Sequence, residues 1–470
     1  MKIAWFAPLL LVLVFLTGAL LVAQSNPVPL IYQPLLPASV KPGHAAFVLG
    51  VHGTGFVPGA LVHWNGKALK TQFISTSKLR AQVPAAAVAR SNTGSVTVTN
   101  PGSIASNLIY LPVRQPSAGV STKIDAAGIA SGQVAVGDFN NDGRPDISVS
   151  GDSKNVDVFL NQGGGNFSLV SGSGLISYNL TGNVVADFNN DGNLDLAVGG
   201  TDGSIITWSS IFLGDGKGGL TATNGSYSGL GSVADMNGDG TLDAVTVTYD
   251  GSVFYLNVYL GNGDGTFTFK SSVQLKSGFS SGLPVIGDFN GDGKLDVAVT
   301  GPDPVAIFLG NGDGTFQNEV DYTVPFQYPQ TYAAVADVNG DGKLDIVTTG
   351  GSILLGRGDG TFVVGPVIPI PPVANNIKVA DVNGDGRLDL VTAAMTDSAG
   401  DLELNILLGN GDGTFQSPIV FAAGQADGAY FLSAVDVADF NNDGLLDFVI
   451  SGGGTNQTGN STLLLQTAPK

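Results

Sequence analysis

A nine-residue acidic loop, D-x-N-x-D-G-x-x-D, occurs seven times between residues 138 and 447. The copies read DFNNDGRPD (138–146), DFNNDGNLD (187–195), DMNGDGTLD (235–243), DFNGDGKLD (288–296), DVNGDGKLD (337–345), DVNGDGRLD (381–389) and DFNNDGLLD (439–447). Short apolar runs flank each copy, such as PVIGD before and VAVTG after. Runs rich in Val and Ile and bounded by Gly read as buried strands, so each loop joins the two strands of a hairpin. The chain is therefore a series of like β-units.

The loop chemistry points to a cation. Positions 1, 3 and 5 bring carboxylate and amide oxygens into one bend, and Gly at position 6 permits the sharp turn. Position 9 is Asp in every copy. Position 7 shares no side-chain chemistry, so its common donor is the backbone carbonyl. An all-oxygen set suits Ca2+, which takes about six to eight oxygens. The expected ligands are Asp138, Asn140, Asp142, Arg144 and Asp146; Asp187, Asn189, Asp191, Asn193 and Asp195; and Asp235, Asn237, Asp239, Thr241 and Asp243. The next two loops supply Asp288, Asn290, Asp292, Lys294 and Asp296, and Asp337, Asn339, Asp341, Lys343 and Asp345. The last two supply Asp381, Asn383, Asp385, Arg387 and Asp389, and Asp439, Asn441, Asp443, Leu445 and Asp447. Three carboxylates so close repel one another unless a cation neutralises them. A metal-free turn needs only Gly or Asn. Up to seven structural Ca2+ are expected. An EF-hand is excluded, since it needs Glu at position 12 and flanking helices.

Charge agrees. The formal net charge is −19, from 39 acidic and 20 basic residues, and the loops hold over half of the acid. Bound Ca2+ would offset most of it, so no basic partner is needed. No basic stripe is evident, which speaks against nucleic acid. There are no cysteines, so metal takes the place of disulfides as staples.

Loop starts are spaced by 44 to 58 residues. That period, with several strands per unit, suggests propeller blades. A second motif recurs inside the units, as in FLNQGGGNF (159–167), YLGNGDGTF (259–267) and LLGNGDGTF (407–415). It reads as a second hairpin, its Phe packing between blades. Each unit is then strand A, acidic loop, strand B, variable loop, strand C, Gly turn and strand D. The Arg-Gly-Asp at Arg357–Asp359 fills the same turn and reads as a turn rather than an adhesive motif. The last unit lacks a strand D, so 120–128 is expected to pair with 461–467 and close the ring.

These repeats resemble the FG-GAP or VCBS repeats of integrin α-subunit heads, seven-bladed fungal lectins and many secreted bacterial proteins. The resemblance covers residues 119–470 and implies structural Ca2+ in all seven loops on one rim. It is silent about the ligand.

Residues 1–25 read as a secretory signal, MKIAWFAPLLLVLVFLTGALLVAQS, with an uncleaved anchor as the alternative. No membrane insertion of the mature chain is expected. Residues 27–115 alternate like short strands, with a hairpin signal at Asn65-Gly66. The pieces LLPASVKPG, VHGTGFVPGALVHWNG, LRAQVPA and GSVTVTNPG resemble the IPT/TIG immunoglobulin-like domain. Residues 114–120 read as a short linker. His44, His52 and His63 all fall in this segment and share no metal-ligand spacing.

The fold class is thus all-β: an N-terminal Ig-like β-sandwich (27–115) followed by a seven-bladed β-propeller with Ca2+ loops (119–470). The expected function is a secreted or cell-surface calcium-binding module for binding or adhesion, with a glycan or a surface protein as partner and no nucleic acid. No catalytic residues stand out, since the repeats hold neither His nor Cys. A polysaccharide lyase or other carbohydrate-active enzyme is the alternative. Ligand is expected on the rim opposite the acidic loops, where connections vary. Aromatics there give flat contact area: Trp208, Tyr178, Tyr227, Phe326, Tyr328 and Tyr430.

Overall fold

Alternation of apolar and polar residues decides the first 90 described residues. In β2 (Phe47–Thr54) and β6 (Lys78–Val83), Leu49, Val51, Leu79, Ala81 and Val83 point one way into a core, while Lys78, Arg80 and Gln82 point the other way. The structure, a computed structural model, describes residues 26–129, 132–151, 156–171, 179–201, 207–229, 231–276, 282–301, 304–325, 332–371, 374–395, 401–425, 433–452 and 461–467. The segment read as a signal lies outside them. Among the described residues no helix is long and apolar enough to cross a membrane.

Two four-stranded sheets form the N-terminal module. One has the order β1 (Leu30–Ile31), β2, β6, β5 (Lys70–Ser75). The other has the order β4 (Lys67–Ala68), β3 (Leu61–Trp64), β7 (Asn92–Thr99), β8 (Ile109–Val113). Their inner faces share one core that includes Phe56, Trp64, Val96 and Leu111. Asn65 and Gly66, at φ 48° and 73°, make the tight β3–β4 turn that the Asn-Gly pair signals.

Seven four-stranded antiparallel sheets follow among the described residues. The first comprises β10 (Gly132–Gly137), β11 (Asp146–Gly151), β12 (Val156–Gly163) and β13 (Asn166–Ser171), each strand paired with the next. Five more of the same order span 179–228, 231–274, 284–322, 333–364 and 374–425. The seventh takes three strands from 433–467 and its outer strand from β9 (Ser121–Ile129). There Thr467 pairs with Ser121 and Ser461 with Ile129, so both ends of the repeat region close one sheet, as the sequence predicts.

The first strands of the sheets face one another. The first strand of sheet one touches those of sheets two and seven, and like contacts join sheets three through seven in order. Sheets two and three share a core through Val184, Ala186, Val233 and Ala244. Innermost strands meeting around a ring, with no free edge at the seam, are the geometry of a β-propeller.

Candidate functional site

Every acidic loop joins strand A to strand B, and all seven are built alike. Position 6 is Gly at φ between 84° and 90°. Position 4 is also left-handed: it is Gly238, Gly291, Gly340 or Gly384 at 73–74°, or Asn141, Asn190 or Asn442 at 58–60°. Asn is among the few residues other than Gly that accept this conformation, so position 4 reads Asn or Gly.

The side-chain oxygens converge on backbone N–H groups of their own loop. In the fourth loop, Asp288 Oδ1 and Oδ2 accept from Asp292 N (3.1 Å) and Gly293 N (2.8 Å). Asn290 Oδ1 also accepts from Asp292 N, and Asp292 Oδ1 accepts from Lys294 N (2.9 Å). The position-9 carboxylate does something the sequence did not suggest. Asp296 Oδ2 accepts from Phe289 N (2.8 Å), while its Oδ1 accepts from Gly310 N (2.8 Å) at the end of strand C. The same strap is made by Asp146 to Asn161, Asp195 to Gly214, Asp243 to Gly261, Asp345 to Gly356, Asp389 to Gly409 and Asp447 to Gln466. Position 9 therefore ties the loop to the third strand of its own sheet.

These carboxylates are starved of positive charge. Among the described residues, ion pairs to these loops form only at position 5: Arg144 on Asp142 (2.5 Å), Arg387 on Asp385 (2.5 Å), and Lys294 and Lys343 at 3.8 and 3.7 Å from Asp292 and Asp341. Among the described residues no position-1 or position-9 Asp of these loops has an ion-pair partner. Burial pushes the position-9 carboxyls up, to about 6 for Asp146, about 7 for Asp195, Asp296 and Asp345, and about 8 for Asp243 and Asp447. Asp389 is raised well above the carboxylate range for the same reason. Neighbouring carboxylates add to the shift, and backbone N–H bonds oppose it. Position-1 carboxyls are raised too, Asp381 and Asp439 to about 6. The donor set, all oxygen with three Asp and one Asn per loop, fits a hard divalent cation. Among the described residues no three carboxylates are drawn into a finished cage, their oxygens being shared with N–H groups.

Neighbouring sheets clasp these loops. Gly218, Gly265 and Gly360, in the C–D turns of sheets two, three and five, donate N–H to the carbonyls of Phe139, Phe188 and Phe289 in the loops of the sheets before them. The turn aromatics follow the same path. Phe267 lies edge-on to Phe188 (6.0 Å), Phe362 to Phe289 (5.4 Å) and Phe167 to Phe440 (6.0 Å), so they pack between sheets as expected. The Asp of the Gly turn serves the turn itself. Asp359 Oδ1 accepts from Thr361 N and Oγ1, as Asp264, Asp313 and Asp412 do at their turns, so Arg357–Asp359 is a turn.

The N-terminal module covers this same rim. Val28 N donates to Asp235 Oδ2 (2.9 Å), and Asp288 N donates to the Tyr32 hydroxyl (2.8 Å). Thr54 Oγ1 donates to Gly293 O, Asp337 N to Gln33 O, and Ser39 Oγ to Gly384 O. Ser91 and Asn92 lie against Gly444. Tyr110 packs, partly buried, between sheets one, six and seven, and burial of its hydroxyl with Asp436, Asp439 and Asp138 nearby raises its pKa. Residues 114–120, read as a short linker, are held against the ring. Arg114 is 4 % exposed, and its Nη1 donates to Val382 O (2.8 Å) and Gln466 Oε1 (2.8 Å). Ser117 N donates to Asn383 O. Loops three through seven are thus touched by the module.

The two parts also differ in charge. Residues 26–119 contain seven Lys and Arg and no Asp or Glu, so all 39 acids lie beyond them. The expectation that no basic stripe exists fails here, because the chain-wide balance hides a basic module seated on an acidic ring.

Of the aromatics expected to hold ligand, Tyr227 is corrected. It is 2 % exposed and packs on Phe267 at 4.9 Å between sheets two and three, because its strand turns that face inward. Tyr178, Phe326, Tyr328 and Tyr430 lie outside the described residues. Trp208 pairs with Ser228 through its backbone, and its side chain lies outside what is described.

The fold and the acidic rim define the class: a β-propeller whose A–B loops form a carboxylate-rich ring. The chain belongs to the FG-GAP-like repeat family, which matches residues 138–198, 187–246, 235–299, 288–348 and 381–450. No curated protein matches the chain. Among solved structures it is similar to an Agrocybe aegerita lectin described as recognising non-reducing terminal N-acetylglucosamine, with 19 % identity over 71 % of this chain and 90 % of that one, at a TM-score of 0.41. It is also similar to BBS1N in a complex with ARL6DN, with 9 % identity, 74 % and 97 % coverage and a TM-score of 0.43. An auxiliary nutrient binding protein from Bacteroides ovatus aligns at 12 % identity, 94 % and 98 % coverage and a TM-score of 0.36.

Proposed function

We propose that this protein is a secreted or cell-surface binding module: a seven-bladed propeller stapled by structural Ca2+ in its A–B loops, preceded by an Ig-like domain, that engages a glycan or a surface protein on the rim opposite those loops. The observation that carries the reading is the occupation of the loop rim. Turns of adjacent sheets clasp it, and the N-terminal module covers it, leaving the opposite end of the propeller for a ligand. The connections at that end differ in length and chemistry, as in TDGSIITWSS (201–210), PFQYPQTY (325–332) and GGGTNQTGN (452–460), which suits recognition by loops on a rigid scaffold.

Ca2+ would be held by the Asp and Asn at positions 1, 3, 5 and 9 and a position-7 carbonyl. It would supply the positive charge that the buried carboxylates lack. The chain's own residues supply the rest. The position-9 Asp fixes the loop to strand C, and the left-handed positions 4 and 6 set its curl. Binding is tested on a glycan array with the full chain, with and without Ca2+. Trp208→Ala and Tyr328→Ala should abolish binding while the melting transition stays in place. Binding that survives both substitutions contradicts the assignment of the rim. Release of unsaturated sugar from a polysaccharide would reveal a lyase instead.

A further inference from the structure

We propose that the open face of the β1–β2–β6–β5 sheet of the N-terminal module is a second binding site, for an acidic polysaccharide, with Lys70, Lys78 and Arg80 as its anion-binding residues. The face carries a shallow, solvent-open groove of about 860 Å³, a volume suited to a ligand of a few sugar rings. Strand pairing places its residues side by side. Arg80 stands between Gly50 and Gln72, Gln82 between Val48 and Lys70, and Lys78 beside His52. Neighbouring strands lie about 4.8 Å apart, so three cations share one small surface.

Nothing in the module neutralises them. Residues 26–119 hold no acid, and among the described residues neither Lys70, Lys78 nor Arg80 makes an ion pair. Like charges gathered without counter-charge are unfavourable unless a ligand supplies the anion. His52 Nε2 is a second indication: it is buried at the groove without a hydrogen-bond partner. Burial and Lys78 hold this imidazole below its ordinary range, which leaves it neutral near pH 7. Gln72 and Gln82 add amide groups that can pair with sugar hydroxyls.

The chemistry favours a glycan over single-stranded nucleic acid. Single strands are gripped by stacking on aromatic side chains, and no aromatic ring other than His52 lines the groove. The aromatics of these strands, Phe47 and Phe73, are packed against the core. Carboxylate and sulfate would be recognised alike, so the probes must separate them.

The test measures binding of the full chain to hyaluronate (carboxylate), dextran sulfate (sulfate), neutral dextran and duplex DNA. One or both acidic polysaccharides should bind and dextran should not. Raising salt from about 0.05 M to about 0.5 M should weaken binding through screening. The triple variant K70Q/K78Q/R80Q should lose affinity by about tenfold or more. Arg80→Glu alone, on an exposed side chain, should give a loss in the same direction if the triple variant is unstable. The inference is overturned if neither acidic polysaccharide binds, if binding survives these substitutions, or if duplex DNA binds as tightly. Trp208→Ala leaves this groove intact, so the two sites are tested separately.

Discussion

Single residues of the acidic loop divide into two kinds, and the division is testable. Asp296 is fully buried and holds two backbone N–H groups, from Phe289 and Gly310. A buried donor left unpaired costs roughly 1–3 kcal/mol. Asp296→Ala should therefore destabilise by about 2–5 kcal/mol in urea titrations, with EGTA present or absent. Asp292 is partly exposed and its Oδ1 accepts only from Lys294 N. Asp292→Ala should cost under about 1 kcal/mol in EGTA, and the loss should grow once Ca2+ is added. Equal losses for both variants in EGTA would refute the separate strap role. The sequence marked both positions as ligands, and it could not show that position 9 also straps the backbone, because an Asp repeated in every copy looks the same in either role. It also concealed the left-handed turn at position 4, although the alternation of Asn and Gly there was its signature.

Strands and loops were the most legible level. Val- and Ile-rich runs on either side of the loops became strands A and B, and the Gly-rich repeats became C–D turns. Ring closure was legible too, because the last unit lacked a strand and 120–128 had none to pair with. The clasp between one loop and the next sheet's turn was not, since it joins residues about 75 apart through backbone groups that any residue type carries. Deleting 462–470 should abolish cooperative unfolding, as it removes the partner of β9 and the Gln466 strap on Asp447. A single transition near the original midpoint would contradict that role. The buried carboxyls also set a pH dependence. Their folded pKa values lie above the unfolded carboxylate range, so the folded state binds more protons between them and metal-free stability falls as pH rises from about 4 toward 8. The melting temperature in EGTA should thus be lower at pH 8 than at pH 5. With Ca2+, which requires deprotonated ligands, the trend should flatten or reverse.

Charge is segregated along the chain. A module with seven cations and no acid sits on a ring that holds all 39 acidic residues. That segregation could be counted in the sequence, but not its consequence, because the docking depends on contacts between residues hundreds of positions apart. Arg114 is the pin, reaching Val382 O and Gln466 Oε1 from a buried position. Arg114→Ala should raise hydrogen exchange across 28–39 and the sixth loop without altering the core strands of either part. Unchanged exchange there would show that the contact is not held by this residue. The central claim, that Ca2+ in the A–B loops staples the propeller, is tested most directly by calorimetric melting of the full chain after EGTA dialysis and during Ca2+ back-titration, with bound metal counted by elemental analysis. At about tenfold excess over a dissociation constant, each loop would add roughly 1.4 kcal/mol. The account predicts a clear fall in Tm in EGTA, recovery with Ca2+, and several equivalents of bound calcium; an identical Tm in both conditions with no calcium retained would contradict it.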